Sequence, residues 1–539
     1  MSTLPELSAK AEPDFTDPAR CKAWLEHLPL ANVTTAQNQL LGQIEEFNRF
    51  STDAANRLAV METLREAVNF VQIEQAKRFT NRALPMAQAE SKVFDDTIAL
   101  WEQMRLGYLR CVESAAKGEA GMRTQAALIC QRALAYAGLR MFHHHRAYRQ
   151  VPAQDWSALH AIYAAAERMK VTDSPVKDFL NRDVHDTSPR IAYARAVLMA
   201  MCNPNELNQR QLTFVAFLLE RWASKLDVSS KPVEEAEGVP PLVVDLAGES
   251  LPERLPASAS AGLKEPRYFD LSKISKSLRN RVALLRKGES PSKLALGEDC
   301  VQPSCEQLLV FLYRQWCQPK AGRVERKQGG VTAEAASELP AIHYYLSGRA
   351  FRQQQGESKE LTQKQRDEIA TFGRVSTRDE DDYSEAHGFT LELWELVDES
   401  AQGLQILRRA DVPGRRYTHG QLMIVRHARA KSFLLGQIRW LMAAQNGDLN
   451  AGIRLLPGLP AATAVRPTGL NVAQEQYVQA VSLTAVKALN SPPSLVLPVG
   501  WYKPNRIIEV FVESSIRVKL VELVERGSDF ERVAYEAAP

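Results

Sequence analysis

From about residue 18 to 228 the apolar positions recur at helical spacing. Leu58, Met61, Leu64 and Val68 make one stripe, and Leu40, Leu41, Ile44 and Phe47 another. "ALICQRALAYAGLRMF" and "SALHAIYAAAERM" continue the pattern with alanine, the strongest helix former. Proline or glycine interrupts it at "RALPMAQ", "AAKGEAG", "RQVPAQD" and "CNPNE". The pattern predicts an all-α domain of antiparallel helical hairpins over 18–228. A fixed repeat period is only weakly visible.

Residues 229–265 are rich in Pro, Ser, Ala and Glu and read as a linker. A small helical module follows over 266–320, with Leu308, Phe311, Leu312 and Trp316 as its stripe. Beyond about 320 the period drops to two. Phe389, Leu391, Leu393 and Val397 fall on one face of a predicted strand. Leu434, Ile438, Trp440 and Met442 do so on another. "GQLMIVR" and "AGIRLLPG" add further short strands, and the set predicts a small antiparallel barrel over 370–460. Between about 470 and 539, Ile516, Val518 and Leu520 alternate with Arg517 and Lys519, which predicts a second, C-terminal β-rich region open to barrel-like closure. "ASELPAIHYYLSG", in the connecting segment 321–369, reads as a strand available to that second barrel. The fold class is α+β multidomain.

Charge sharpens this picture only locally. The formal net charge of +3 over 539 residues argues against a nucleic-acid coat, and the strands offer no row of exposed aromatics for stacking RNA bases. Residues 404–456 nevertheless hold nine Arg or Lys against two acids, Asp411 and Asp448. The cysteines at 21, 111, 130, 202, 300, 305 and 317 have no regular spacing and read as reduced thiols. Cys300 and Cys305 lack a second ligand pair for zinc. "HHHR" at His143–His145 places consecutive side chains in diverging directions on a helix, so it reads as a surface or interface patch rather than a metal site. No apolar run is long enough to span a bilayer, and the opening "MSTLPELSAKAEPDF" has no signal-peptide character. These features point to the cytoplasm. Nucleotide-hydrolase, esterase and zinc-protease motifs are absent, so a catalytic role is not expected.

One constellation points to chemistry. Arg374 and Arg378 form R-x-x-x-R ahead of the β-region, and Asp398, Ser400 and Gly403 form D-x-S-x-x-G at the turn after its first strand. A guanidinium offers a planar fork of donors to a phosphate or to the O6/N7 edge of guanine. Aspartate and serine at a hairpin bond a ligand edge or their own backbone, and glycine permits positive φ at the corner. "RVERK" at 323–327 echoes the arginine pair but has no such turn after it.

Together these motifs resemble the signatures of PilZ domains, bacterial receptors for cyclic di-GMP. The resemblance covers about residues 370–460. It implies a six-stranded antiparallel barrel that binds cyclic di-GMP, with Arg374, Arg378, Asp398, Ser400 and Gly403 as ligand contacts. It implies no catalytic residue, metal or further cofactor, and it leaves the helical domain as the surface for a protein partner. The acidic run at 379–382 directly follows Arg378 and is foreign to the pattern. A helical interaction scaffold with a degenerate, ligand-free barrel is therefore the alternative expectation.

Overall fold

The computed structural model describes residues 4–235, 239–297, 300–318, 327–353, 384, 386–428, 430–468, 476–512 and 514–538. The chain divides into two compact units, Met1–Arg323 and Val324–Pro539.

The first unit is led by helices α1 (Pro18–Glu26), α2 (Val33–Arg49), α3 (Ala54–Ala76), α4 (Gln88–Lys117), α5 (Ala126–Arg146), α6 (Ala153–Arg168), α7 (Pro189–Met201) and α8 (Gln209–Trp222). Their starts are written in the sequence. Asp17, Asn32, Asp53, Ser188 and Asn208 each accept a backbone N–H of the first turn they precede. The α5 helix packs against α4, α6 and α7, so it is buried nearly all round. His143, His144 and His145 are consequently core residues, not a surface patch. The short strands β1 (Val176–Lys177) and β2 (Asp186–Thr187) pair as a hairpin.

The linker reading of 229–265 does not hold. A four-stranded sheet of order β3-β6-β4-β5 is built from β3 (Asp227–Ser229), β4 (Leu242–Asp245), β5 (Glu253–Arg254) and β6 (Pro266–Asp270). The apolar run at 242–244 supplies buried surface that the prolines around it conceal in a composition count. Helices α9 (Ala257–Ser260), α10 (Ser272–Arg286) and α11 (Ser304–Cys317) complete the unit. Cys300 and Cys305 are joined by a disulfide, against the expectation of seven reduced thiols. Cys21, Cys111, Cys130, Cys202 and Cys317 remain free, and burial pushes the thiols of all five upward.

The second unit contains two closed, six-stranded antiparallel barrels. The first uses β7 (Lys327–Ser337), β8 (Glu392–Ser400), β9 (Gly403–Arg408), β10 (Leu422–His427), β11 (Leu434–Ala443) and β12 (Leu449–Leu455), in the order β10-β11-β12-β9-β8-β7. The second uses β13 (Pro460–Pro467), β14 (Val478–Leu483), β15 (Ser494–Leu497), β16 (Ile507–Phe511), β17 (Ser515–Arg526) and β18 (Glu531–Ala537), in the order β13-β14-β15-β18-β17-β16. Val465, Leu495, Leu497, Ile508, Val518, Leu520 and Val533 fill its core.

Two expectations are corrected here. The segment near 340 is not a strand of the second barrel. β7 closes the first barrel by pairing with both β8 and β10, and helix α12 (Leu339–Ser347) follows it. Leu339, Ile342 and Leu346 then meet the core at helical spacing. The face assigned to the first strand is also inverted. Leu393 and Val397 are 57% and 38% exposed, while Trp394 and Leu396 are buried. The larger indole takes the lumen, and its neighbour Glu392 enters with it because Arg408 neutralises the carboxylate there.

The two barrels share a core. Leu422, Ile424 and Leu435 pack with Val481, Leu483, Val496 and Phe530 of the second barrel. That contact explains why β10 is apolar on both faces: its second face is covered by another barrel.

Candidate functional site

Arg374 and Arg378 lie outside the described residues, as do residues 323–326 of "RVERK". Asp398, Ser400 and Gly403 occupy the β8–β9 hairpin, where Ser400 faces Gly403 directly. A β-bulge decides which way they point. The β8–β9 register shifts between Leu396 and Asp398, so the alternation that sends Trp394 and Leu396 inward does not continue. Asp398 and Ser400 thus leave the lumen and stand half-buried on the outer face.

The Ser400 hydroxyl donates to the Gly403 carbonyl at 3.1 Å and accepts from the Gln402 N–H at 3.4 Å. Gly403 is not among the residues with positive φ, contrary to the corner role expected of it. Its requirement is close approach: a Cβ there would stand 2.6 Å from the Ile453 carbonyl oxygen on β12.

Strand pairing extends this face into two rows. Directly opposed residues on antiparallel strands share a face. Ser400 and Gly403 therefore align with Arg454 on β12, Gln437 on β11 and Leu422 on β10. Asp398 aligns with Gln405, Gly452 and Trp440 in the neighbouring row. Gly452 is bare because the Trp440 indole lies across it, where any Cβ would collide with the ring. The face thus offers a carboxylate, a hydroxyl, two side-chain-free glycines, an indole and a guanidinium. These are groups able to hydrogen-bond, stack against or ion-pair with a polar, planar, anionic molecule.

Arg454 is the residue the sequence reading missed. Its guanidinium pairs with Glu525 of the second barrel and donates to Gln437 Oε1 at 3.3 Å. Burial, reinforced by the nearby charges of Arg439 and Arg532, lowers its pKa to about 10. The sequence signal for it is its place in "GDLNAGIRLL", while its strand partner Gly403 and its ion-pair partner Glu525 lie far away along the chain. Next to it the β17–β18 turn reaches the first barrel. The Ser528 N–H donates to Gly420 O at 2.9 Å, and the Leu422 N–H donates to Asp529 Oδ1 at 2.9 Å.

A helical domain followed by two closed barrels, the first with this polar outer face, defines a multidomain α+β protein of the double-barrel type. Comparison with known proteins narrows the class. Residues 19–233 match the family described as cyclic-di-GMP receptor FimW, N-terminal domain, and residues 463–538 match the FimW C-terminal β-barrel domain. The chain is similar to the cyclic-di-GMP receptor FimW of Pseudomonas aeruginosa, at 23% identity over 525 residues, covering 89% of this chain and 84% of the relative. No solved structure matches it. The support is thus for a cyclic-di-GMP receptor family, and the matches are to FimW domains on either side of 370–460 rather than to a PilZ domain. No helix among the described residues is long and apolar enough to cross a membrane.

Proposed function

We propose that this protein is a bacterial cytoplasmic effector that binds cyclic di-GMP on the outer face of its first barrel. The observation that carries this reading is the register of β8: the bulge after Leu396 leaves Asp398 and Ser400 on one outer face, Ser400 opposite Gly403 and Asp398 opposite Gln405. Similarity to the FimW receptor along most of the chain supports the same ligand. Arg374 and Arg378 supply the guanidinium forks for phosphate and guanine, while Asp398 and Ser400 hold a guanine edge. The role is binding, not catalysis. Binding is communicated to the second barrel and to a protein partner held by the helical domain.

Isothermal titration with cyclic di-GMP tests this. Micromolar or tighter binding is expected, lost in Arg374→Ala and weakened in Arg378→Lys, because an ammonium cannot replace the fork. The absence of heat at high ligand concentration defeats the reading.

One observation favours the alternative of a ligand-free scaffold: the Ser400 hydroxyl is already satisfied within its own turn. In that case the acids at 379–382 occupy the two arginines from within. The variant Asp379→Asn/Glu380→Gln/Asp381→Asn/Asp382→Asn then gains nucleotide binding that the unmodified chain lacks.

A further inference from the structure

We infer that Arg454 is a third arginine of the ligand face, passed between Glu525 of the second barrel and the anionic ligand, so that binding and the barrel–barrel contact compete for one guanidinium. The inference rests on the reading that the β8–β9 face receives cyclic di-GMP.

Three observations lead to it. The first is alignment. Arg454 and Ser400 stand in one row with only Gly403 between them. Two strand steps put their Cα atoms roughly 10 Å apart. Gly403 raises no side chain, so nothing on that row separates the guanidinium from the serine.

The second is charge. Arg454 shares its surroundings with Arg439 and Arg532, both of which act on it as like charges. Glu525 is the carboxylate paired with Arg454. Among the described residues no carboxylate is paired with Arg439, and Arg532 is held by the hydroxyls of Ser494 and Ser491 at 2.9 and 2.6 Å. Three guanidiniums thus repel one another here, Glu525 is ion-paired with the first of them, and a phosphodiester offers a second anion to the group.

The third is connection. The same row runs on through Gln437 to Leu422. Gln437 accepts from Arg454 and donates to Gly420 O at 3.3 Å. That carbonyl also accepts from Ser528 of the second barrel. Arg454 is therefore tied to the barrel–barrel contact directly, through Glu525, and indirectly, through Gln437. Drawing it toward a ligand removes a polar tie between the barrels while the shared apolar core still holds them. Linkage makes the effect reciprocal: whatever releases Arg454 from Glu525 favours the ligand by the same factor.

The test is titration of the full chain with cyclic di-GMP in four forms: unmodified, Arg454→Gln, Glu525→Gln and the double variant. Arg454→Gln should weaken binding about tenfold or more, the loss of a charge-assisted contact. Glu525→Gln should tighten it about fivefold or more by freeing the guanidinium. The double variant should bind like Arg454→Gln alone, since Glu525 then has nothing to withhold. If Arg454→Gln fails to fold, as judged by amide exchange in β11 and β12, Arg454→Lys replaces it and should bind more weakly than the unmodified chain. Normal binding by the Arg454 variants, or Glu525→Gln affinity no better than that of the unmodified chain, overturns the inference while leaving the ligand assignment standing. An unmodified chain that binds nothing overturns both.

Discussion

Arg408 and Glu392 meet inside the first barrel at 2.7 Å, their side chains 3% and 4% exposed. Arg408 also lies over the rings of Trp394 and Tyr417, 5.3 and 5.6 Å from their centroids. Glu392 accepts the Arg415 N–H as well. A buried pair contributes little net stability when intact, but removing one partner strands the other charge. Arg408→Met is therefore expected to cost about 3–5 kcal/mol. The double variant Glu392→Gln/Arg408→Met should cost distinctly less. Native-state amide exchange in β8 and β9 measures both, and equal losses would show that the pair is not the cause.

Gly403 and Gly452 are needed for different reasons, and substitution separates them. Gly403→Ala places a methyl against the backbone of Ile453, which can yield only by moving β12. A cost of about 1–3 kcal/mol is expected in the same exchange measurement. Gly452→Ala instead meets the Trp440 side chain, which can swing away. Its signature should be a changed indole environment in near-ultraviolet circular dichroism with a smaller loss of protection. A silent Gly403→Ala would remove the close-approach explanation.

The buried histidines make the helical unit sensitive to acid. Desolvation holds His143 and His144 down to about 3 and His145 to about 4, with Arg146 adding to the effect on the first and Arg140, His145 and Arg149 on the second. Asp155 lies 4.0 Å from His144. The folded state keeps these rings neutral, whereas the unfolded chain protonates them near pH 6.5. Stability contributed by neutrality is thus complete above that value and is lost as pH falls toward 4. The melting temperature of the helical unit should drop across this window, and His144→Phe should flatten the drop. A pH-independent melt between 6.5 and 4 would contradict the burial.

Asp529 predicts the opposite slope for the second unit. Burial raises its carboxyl from near 3.8 to about 6, the hydrogen bond from Leu422 pulling only partly the other way. Between those values the folded state holds a proton that the unfolded chain has released, so stability falls as pH rises through the window and the full cost stands above about pH 6. Asp529→Asn keeps an oxygen for the Leu422 N–H and removes the cost. It should stabilise the barrels by roughly 2–3 kcal/mol at pH 7.5 and by almost nothing at pH 3.5. Equal effects at both values would refute the assignment.

Local periodicity determined a good deal of this protein. The stripes at Leu40–Phe47 and Leu58–Val68 specify α2 and α3 because a helix closes its hydrogen bonds within its own segment. The change to period two announced strands, and the order of Asp398, Ser400 and Gly403 placed a polar hairpin among them. Tertiary structure decided the rest. The bulge after Leu396 turned Asp398 and Ser400 outward. β7 closed a barrel to which its sequence gives no clue. The apolar second face of β10 met another barrel, and Arg454 came into line with Ser400 across more than fifty residues of chain. Strand register and sheet order are set by hydrogen bonds between distant segments, and a pattern read along one segment carries no record of its partner.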